Sequence, residues 1–285
     1  MANLKELRNR IGSVTSTKQI TSAMKMVSAA KLKRAQDAIV QMRPYAQKLE
    51  EILVNVSSTL DASENAYARR ADHERKILLV SISSNRGLAG AFNANILKAT
   101  MAFMEEHQGV QIEVLTIGKK VFDLLKRREV KLLGQENEIF DELTFEATAL
   151  IAESIMEKFR SGEFDKVVLI YNRFVNAAVQ RVETEQFLPV SEPEEQGTTA
   201  DYIFEPGKAE ILQDLIPLSL KTQLFKALLD SHASEHGARM TAMHKATDNA
   251  TELLRELKLD YNKARQAAIT NEILEIVGGA EALEG

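Results

Sequence analysis

The chain has no cysteine among its 285 residues, so disulfides, thiolate zinc sites and a cysteine nucleophile are excluded. It also lacks any run of about eighteen apolar residues, the length that a helix needs to span a bilayer. Met1 is followed almost at once by a repeating apolar pattern, without the apolar core of a secretion signal. These absences predict a protein that does not insert into a membrane and is not secreted. Its 45% content of hydrophobic residues is sufficient for a buried core.

Proline and glycine are scarce at both ends of the chain. Residues 1–60 contain only Pro44 and Gly12, and residues 218–277 contain no proline and only Gly237. Both ends therefore predict very long helices of roughly 58 and 70 residues, about 87 and 105 Å at 1.5 Å per residue. A proline inside a helix removes a hydrogen bond and bends the axis. We expect a kink at Pro44, or a helix that restarts there.

Apolar residues of the first helix recur at alternating steps of three and four, the repeat of a coiled-coil seam. They are Leu4, Leu7, Ile11, Val14, Leu32, Ala35, Ile39, Met42, Ala46, Leu49, Leu53, Val56 and Leu60. Four polar residues hold the intervening positions of the same register: Lys18, Thr21, Lys25 and Ser28. Over this stretch Ile20, Met24 and Val27 lie on a rotated apolar face. Two interpretations stay open, a stutter that re-phases the supercoil and a binding face for which the helix gives up seam packing.

The C-terminal helix has a matching repeat of small and apolar residues. It comprises Met243, Ala246, Ala250, Leu253, Leu257, Tyr261, Ala264 and Ala268. The two ends are predicted to pair as an antiparallel two-helix coiled coil. Because the second helix is longer, its turns from about Tyr261 onward should extend beyond the partner as a single helix. Apolar residues surround much of that tip, so we expect an apolar sleeve to receive it.

Charge divides the chain into three predicted segments, and the total is −5. Residues 1–60, a coiled-coil helix, carry ten basic and four acidic side chains, a net of +6. Residues 61–207, a globular domain, carry 17 against 25, a net of −8, and residues 208–285, the second helix, carry nine against twelve, a net of −3. A basic helix on an acidic protein indicates an anionic partner, either nucleic acid or an acidic protein surface, unless the face is simply solvated.

The middle of the chain alternates between strand and helix patterns. Short apolar runs at 76–82, 111–117 and 166–171 are typical of strands that are covered on both faces. Amphipathic stretches at 92–106, 119–127 and 145–159 predict helices between and around them, hence a mainly parallel, Rossmann-like α/β domain. Residues 178–189 alternate like an edge strand, and residues 201–204 are a possible last strand.

No catalytic constellation is evident in the sequence. The loop SSNRGLAGAFN (83–93) follows a strand, where α/β domains bind phosphate, but Gly87 and Gly90 do not complete a GxGxxG or GxxxxGK[ST] pattern. A turn that needs glycine for backbone reasons is the favoured interpretation. His232 and His236 stand four residues apart without the glutamate of HExxH, and we expect them to be surface residues and not metal ligands. We expect neither a cofactor nor a metal.

Four segments together closely resemble the gamma subunit of F-type ATP synthases. They are RIGSVTSTKQITSAMKMVSAAKLKRAQ, SNRGLAGAFN, SEHGARMTAMHKATDNA and ITNEILEIVGGAEA. The last of them matches that family's C-terminal signature at Ile269, Thr270, Glu272, Glu275, Gly279, Ala280 and Ala282. The likeness runs over essentially the whole chain, and the motifs are specific.

This resemblance implies a non-catalytic central rotor shaft that couples proton-driven rotation of a membrane c ring to conformational change at the catalytic beta subunits. The implied partners are three alpha and three beta subunits, an epsilon subunit and the ring of c subunits, with no nucleic acid. The implied location is peripheral, on the cytoplasmic face of a bacterial cell membrane. A bacterial origin is favoured because no transit peptide precedes the shaft. The absence of cysteine excludes the redox switch of chloroplast relatives.

The resemblance also implies roles for individual residues. The implied contacts with the beta subunits are Lys18, Met24, Lys25, Val27, Lys31, Lys33, Arg34, Arg265 and Gln266. The implied bearing tip comprises Ile269, Ile273, Ile276 and Val277. Tyr202, Phe204 and Glu205 resemble the part of the foot near epsilon and the c ring, although relatives can carry tyrosine where Phe204 stands.

Other classes of function remain as alternatives from the residues alone. One is a coiled-coil scaffold with a non-catalytic α/β domain. A nucleic-acid-binding coiled coil would need a basic helix that forks from a parallel dimer, and antiparallel pairing within one chain argues against it. A nucleotide-dependent enzyme would need detectable nucleotide binding by the isolated chain.

Overall fold

A long helix stands at each end of the computed structural model, which describes residues 4–57, 67, 69, 74–190 and 208–284. Helix α1 (Leu4–Ser57) has 54 residues, and helix α5 (Lys208–Glu284) has 77. The prediction of two very long terminal helices is confirmed. Neither of them, nor any other helix within those ranges, combines the length and apolar character that crossing a membrane requires.

Both long helices continue through a proline. Pro44 lies inside α1 and Pro217 inside α5, so the alternative in which the first helix restarts at Pro44 is wrong. A proline inside a helix costs about 3 kcal/mol. Burial of seam residues nearby offsets that cost, since Ala35 and Leu49 are 4% and 6% exposed.

The chain folds as two compact units. One comprises Met1–Val27 and Met240–Gly285, and we call it the coil unit; the other, Ser28–Arg239, is the sheet unit. In the coil unit, Arg8 hydrogen-bonds to Tyr261 and Thr21 to Thr247, so α5 runs opposite to α1. The predicted antiparallel coiled coil is thereby confirmed. The domain limits of 1–60, 61–207 and 208–285 stay a prediction.

The sheet unit contains one five-stranded sheet. Its strands are β1 (Lys76–Ile82), β2 (Gln111–Ile117), β3 (Leu132–Glu136), β4 (Lys166–Phe174) and β5 (Gln180–Leu188). Their order is β3-β2-β1-β4-β5, with the first four parallel and β5 antiparallel to β4. The predicted mainly parallel sheet, with an edge strand after residue 178, is confirmed.

One strand was not predicted, and one predicted segment cannot be compared. Strand β3 has only five residues, includes Gly134 and is partly exposed along its length, so it lacks the apolar run that marks a buried strand. Asp201–Phe204, the possible last strand, lies outside the described residues.

Helices cover both faces of the sheet, as the apolar strand runs predict. These are α2 (Phe92–Glu106), α3 (Lys119–Leu125) and α4 (Phe145–Arg160), with short 3-10 turns at Lys126–Arg128 and Glu138–Phe140. Alternate residues of β1 enter two separate cores. Leu78 packs in the core that includes Phe159 of α4 and Leu224 of α5, and Ile77 packs in the core with Ile96 of α2.

The expectation that His232 and His236 are surface residues is wrong. His236 is only 5% exposed and His232 is half-buried, because this part of α5 packs against the sheet unit. Their Nε2 atoms lie 3.0 Å apart, so one ring donates a hydrogen bond to the other, and His232 stacks on Phe140. Within the described ranges, no group of three His, Asp or Glu residues is placed to hold a metal ion.

Burial is the main cause that lowers the pKa of His232 to about 4 and that of His236 to about 3, and the nearby charges of Lys31 and Arg239 contribute to both values. An unfolded histidine titrates near 6.5. Between about pH 6.5 and 4, the unfolded chain therefore binds protons that the folded chain does not, and this pair makes stability fall as the pH falls. The effect should be absent above about pH 7.

We predict that the double substitution His232→Asn with His236→Gln flattens the loss of stability between about pH 6.5 and 4.5. Urea unfolding midpoints measured across that range by circular dichroism provide the test. His244→Gln is the matched control, because the His244 side chain is 56% exposed. An unchanged acid slope in the double variant would contradict the burial of the pair.

Candidate functional site

The polar stretch of the first helix turns inward in the coil unit. Thr21 is 9% exposed, and Lys18 and Lys25 are half-buried, so the predicted register continues through these positions. In the sheet unit Ser28, the next position of the same register, is 3% exposed. The stutter interpretation is therefore wrong, because the inward side of the helix does not shift.

A pair of hydroxyl groups closes the seam at this level. The Thr21 and Thr247 Oγ1 atoms are 2.9 Å apart and share a hydrogen bond. Each hydroxyl has one proton: Thr247 donates to Thr21, Thr21 donates to Lys18 O at 3.1 Å, and Met243 O at 2.8 Å is the alternative acceptor for the Thr247 proton. The idea that the helix gives up its seam packing here is therefore wrong. The seam is polar but closed, since buried hydroxyls that are hydrogen-bonded carry little desolvation cost.

An apolar face points away from the seam, as predicted. Ile20 and Val27 are 60% and 58% exposed, and Met24 is half-buried. Met26, which sequence reasoning did not single out, is 65% exposed. Three large apolar side chains within two turns are thus available to a partner on the outer side of α1.

Lys25 lies at the margin of this face and contacts the opposite helix. Its Nζ is 3.3 Å from Nδ1 of His244, and the same Nδ1 is 3.4 Å from Oδ2 of Asp248. A neutral His244 can accept from Lys25 at Nδ1, whereas a protonated one can only donate, and Asp248 is then its acceptor. Sequence reasoning missed His244, although its position one residue after seam residue Met243 was a usable signal.

Three further basic residues of the first helix are exposed side chains of the sheet unit. Lys31, Lys33 and Arg34 all face outward. Lys33 pairs with Asp37 at 2.7 Å, one turn further along the helix. Such an exposed i,i+4 pair contributes little stability, so these side chains are accessible to an anionic partner.

The C-terminal repeat needs one correction. The inward positions are Met243, Thr247, Ala250, Leu254, Leu257, Tyr261 and Ala264, which follow strict heptad steps. Leu253, predicted for the seam, is 39% exposed, whereas Leu254 is 9% exposed. Thr247 likewise takes the position predicted for Ala246, because only this register places it opposite Thr21.

The tip of α5 is exposed, as predicted from the difference in helix length. Described side chains from Arg265 to Ala280 are all exposed, including the beta-contact candidates Arg265 and Gln266. Ile269, Ile273, Ile276 and Val277 are 49%, 54%, 67% and 56% exposed. A single helix with this much apolar surface is a typical docking element. Tyr202, Phe204 and Glu205 of the predicted foot lie outside the described residues.

Comparisons with known proteins agree on one family. A family model described as ATP synthase matches residues 3–283. The chain is 62% identical over 287 residues to the ATP synthase gamma chain of Flavobacterium johnsoniae, with 100% of both chains covered. It is 59% identical over 287 residues to that of Flavobacterium psychrophilum, again with 100% of both covered. Its fold is similar to that of a chain in the rotor of the Euglena gracilis mitochondrial ATP synthase, with a TM-score of 0.67, 22% identity, and 93% of this chain and 98% of that one covered.

We predict that replacing both seam hydroxyls, with Thr21→Val and Thr247→Val, leaves the stability of the coil unchanged or raises it by up to about 1 kcal/mol. The double change removes both partners together and leaves an apolar seam of the same shape. Each single change should be slightly destabilising, because it leaves one hydroxyl with an apolar neighbour. Urea unfolding of the two singles and the double, followed by helical circular dichroism, measures the coupling.

Thr251→Val is the control, since Thr251 is exposed and its hydroxyl donates to Thr247 O, one turn back in the same helix, at 2.8 Å. A double variant that loses more stability than the two singles combined would argue against a closed hydroxyl seam.

Proposed function

Because the chain belongs to the ATP synthase gamma-chain family, we propose that it is the central rotor shaft of an F-type ATP synthase. The shaft couples rotation of a membrane c ring to conformational change at catalytic beta subunits, for ATP synthesis or hydrolysis. The observation that carries this proposal is the match of one family over residues 3–283, with curated relatives aligned along their whole length. The chain itself is a non-catalytic subunit.

The proposed assembly places α1 and α5 inside a ring of three alpha and three beta subunits. The five-stranded sheet with its covering helices is proposed to contact the epsilon subunit and the c ring, and the chain to be a peripheral component of a proton-transporting complex on the cytoplasmic face of the cell membrane. Tyr202, Phe204 and Glu205 are proposed, from the family resemblance alone, to belong to that foot. Copurification is the first test, since a rotor should bring down alpha and beta subunits in threefold excess, whereas a scaffold has no such ratio.

The outer side of α1 is the proposed contact with the beta subunits. It offers the exposed Val27 and the half-buried Met24, with the half-buried Lys18 and Lys25 at the margin of this side, and the exposed Lys31, Lys33 and Arg34 extend the basic character of the same helix. Apolar area supplies affinity, and exposed cations attract acidic loops over a distance of about 10 Å. Arg265 and Gln266 are proposed to form a second contact nearer the tip, where both are exposed.

The tip of α5 is the proposed bearing. Its exposed residues Ile269, Ile273, Ile276 and Val277 would enter an apolar sleeve at the top of the ring. Fully burying one such side chain is worth about 1.5–3 kcal/mol, so four of them can hold a shaft on its axis without a directional bond. A contact without directional bonds can also slip as the shaft turns.

We predict that reversing Lys25, Lys31, Lys33 and Arg34 to Glu weakens coupling and leaves the chain helical. Lys31, Lys33 and Arg34 are exposed, and Lys25 exchanges one polar seam residue for another. One exposed ion pair is worth only about 0–1 kcal/mol, so the set should act where single changes do little. The measurements are ATP hydrolysis and ATP-driven proton pumping by the assembled complex, at low and high salt.

The matched control exchanges the same four residues between Lys and Arg, which keeps every charge. Leu49→Asp is the contrasting change, because Leu49 is 6% exposed and a buried charge there should unfold α1 locally. Normal coupling in the charge-reversed complex would contradict a role for these basic residues in the contact with the beta subunits.

We predict that Ile276→Asp lowers the affinity of the chain for the alpha–beta ring without changing the helicity of the isolated chain. Ile276 is 67% exposed, so its loss costs the free chain little, whereas the sleeve would have to bury a carboxylate. Titration of the ring with labelled chain gives the affinity, and Leu257→Asp, at a position 5% exposed, should instead reduce helicity. Equal affinities of the Ile276 variant and the parent chain would rule out a bearing at this tip.

A further inference from the structure

Helix α5 crosses the edge of the sheet at which parallel α/β folds bind their ligands. Strands β1 and β4 are parallel neighbours, and the chain passes from β1 to β2 on the opposite side, so the order changes direction between β1 and β4. In doubly wound sheets the crevice at the carboxyl ends of such strands is the usual ligand site. Here the loop that follows β1, residues 83–93, and the turn that follows β4 both contact α5 between Asp230 and Arg239.

Arg239 makes several polar contacts to the loop after β1 and to its own helix. Its side chain is 9% exposed, and its Nη1 pairs with Glu235 Oε1 at 2.5 Å. Nη2 donates to the carbonyls of Arg86 at 3.0 Å and Gly87 at 3.2 Å, and Nε lies 3.4 Å from the same Gly87 oxygen. Nη1 also lies 3.5 Å from Nδ1 of His236. The planar fork of the guanidinium thus reaches a carboxylate, an imidazole and two loop carbonyls at once.

Four further contacts line the same stretch of α5. The Ser234 hydroxyl donates to the Asn172 carbonyl of β4 at 2.9 Å, and the Phe174 N–H donates to the Asp230 carboxylate. A Cβ at Gly237 would lie 3.2 Å from the Ala177 Cα, so the helix backbone approaches the β4–β5 turn closely. Ala238 packs with Ala89 and Phe92 of the loop and α2.

We propose that this sheet edge serves as a clamp on α5, and that Arg239 is the positioning residue that fixes the loop after β1 to the shaft helix. The inference rests on the proposed function, since its consequence concerns torque. Rotation that is applied to the sheet would reach α5 through the core that holds Leu224 and also through this clamp, and the stiffness of the clamp would add to the share of the rotation that arrives at the ring. The 83–93 loop would then serve force transmission, with its carbonyls engaged by a guanidinium of the same chain.

Arginine is specifically suited to this position. A lysine would keep the charge and the pair with Glu235, but an ammonium on a flexible stem cannot bridge two loop carbonyls and a carboxylate in one plane. The clamp interpretation therefore predicts that Arg239→Lys is not conservative. If Arg239 contributed only its positive charge, Arg239→Lys would be conservative.

The test uses Arg239→Lys in the full chain, assembled with its alpha, beta, epsilon and membrane subunits. We expect ATP hydrolysis to persist, protons pumped per ATP to fall by about twofold or more, and amides 84–93 to exchange with solvent about tenfold faster than in the parent chain. Arg173→Lys is the matched control, because Arg173 is an arginine on β4 whose side chain is 62% exposed. Pumping per ATP and exchange both equal to the parent would overturn the clamp.

Gly237→Ala keeps the test decisive if the lysine variant folds poorly. The added methyl would push the helix away from the β4–β5 turn. Gly12→Ala is the control: a Cβ at Gly12 has nothing within 4 Å, so this change should leave pumping per ATP unchanged. Lower pumping per ATP with Gly237→Ala alone supports the clamp, and equal values for both alanine variants contradict it. A parent chain that fails to support any pumping would instead overturn the proposed function, so the two failures are distinguishable.

Discussion

The heptad pairing of α1 with α5 in the coil unit is the contact on which the rest of the account depends. Helices of 54 and 77 residues have little stability of their own in water and need an apolar partner along their length. Antiparallel pairing places Arg8 beside Tyr261, with Nη2 and the phenol oxygen 2.9 Å apart. Because α1 begins at Leu4, α5 has no partner helix beyond this level among the described residues. The same pairing thus creates both the closed seam and the exposed tip.

Helix pairing and partner contact are carried by different residues of α1, whereas sequence reasoning had explained the polar seam by the partner contact. Thr21 and Thr247 hold the helices together by a shared hydrogen bond, while Ile20, Met26 and Val27 are left on the outer side. The helix therefore does not trade packing for a contact surface. Hydroxyls in the seam supply few apolar contacts, and the pair is weaker there than a Leu–Leu layer would be.

Strands β1, β2 and β4 were predictable because each contains an apolar run bounded by a change of period, and β1 and β2 begin and end at the predicted residues. Strand β3 was not, since a short edge strand with a glycine has no such run. Leu253 and Leu254 are adjacent and chemically identical, so periodicity alone could not decide which faces the partner. The burial of His232 and His236 depends on what packs against α5, and spacing along one helix does not contain that information.

Rotation of the chain inside a catalytic ring is the measurement that tests the account most directly. The chain has no cysteine, so Leu150→Cys, at a position 68% exposed on α4, provides a single attachment point for an optical probe. With the alpha–beta ring fixed to a surface, the account predicts that added ATP turns the probe continuously in one direction, with three pauses per turn from the threefold ring. A ring that hydrolyses ATP while the probe only fluctuates about one angle would contradict it.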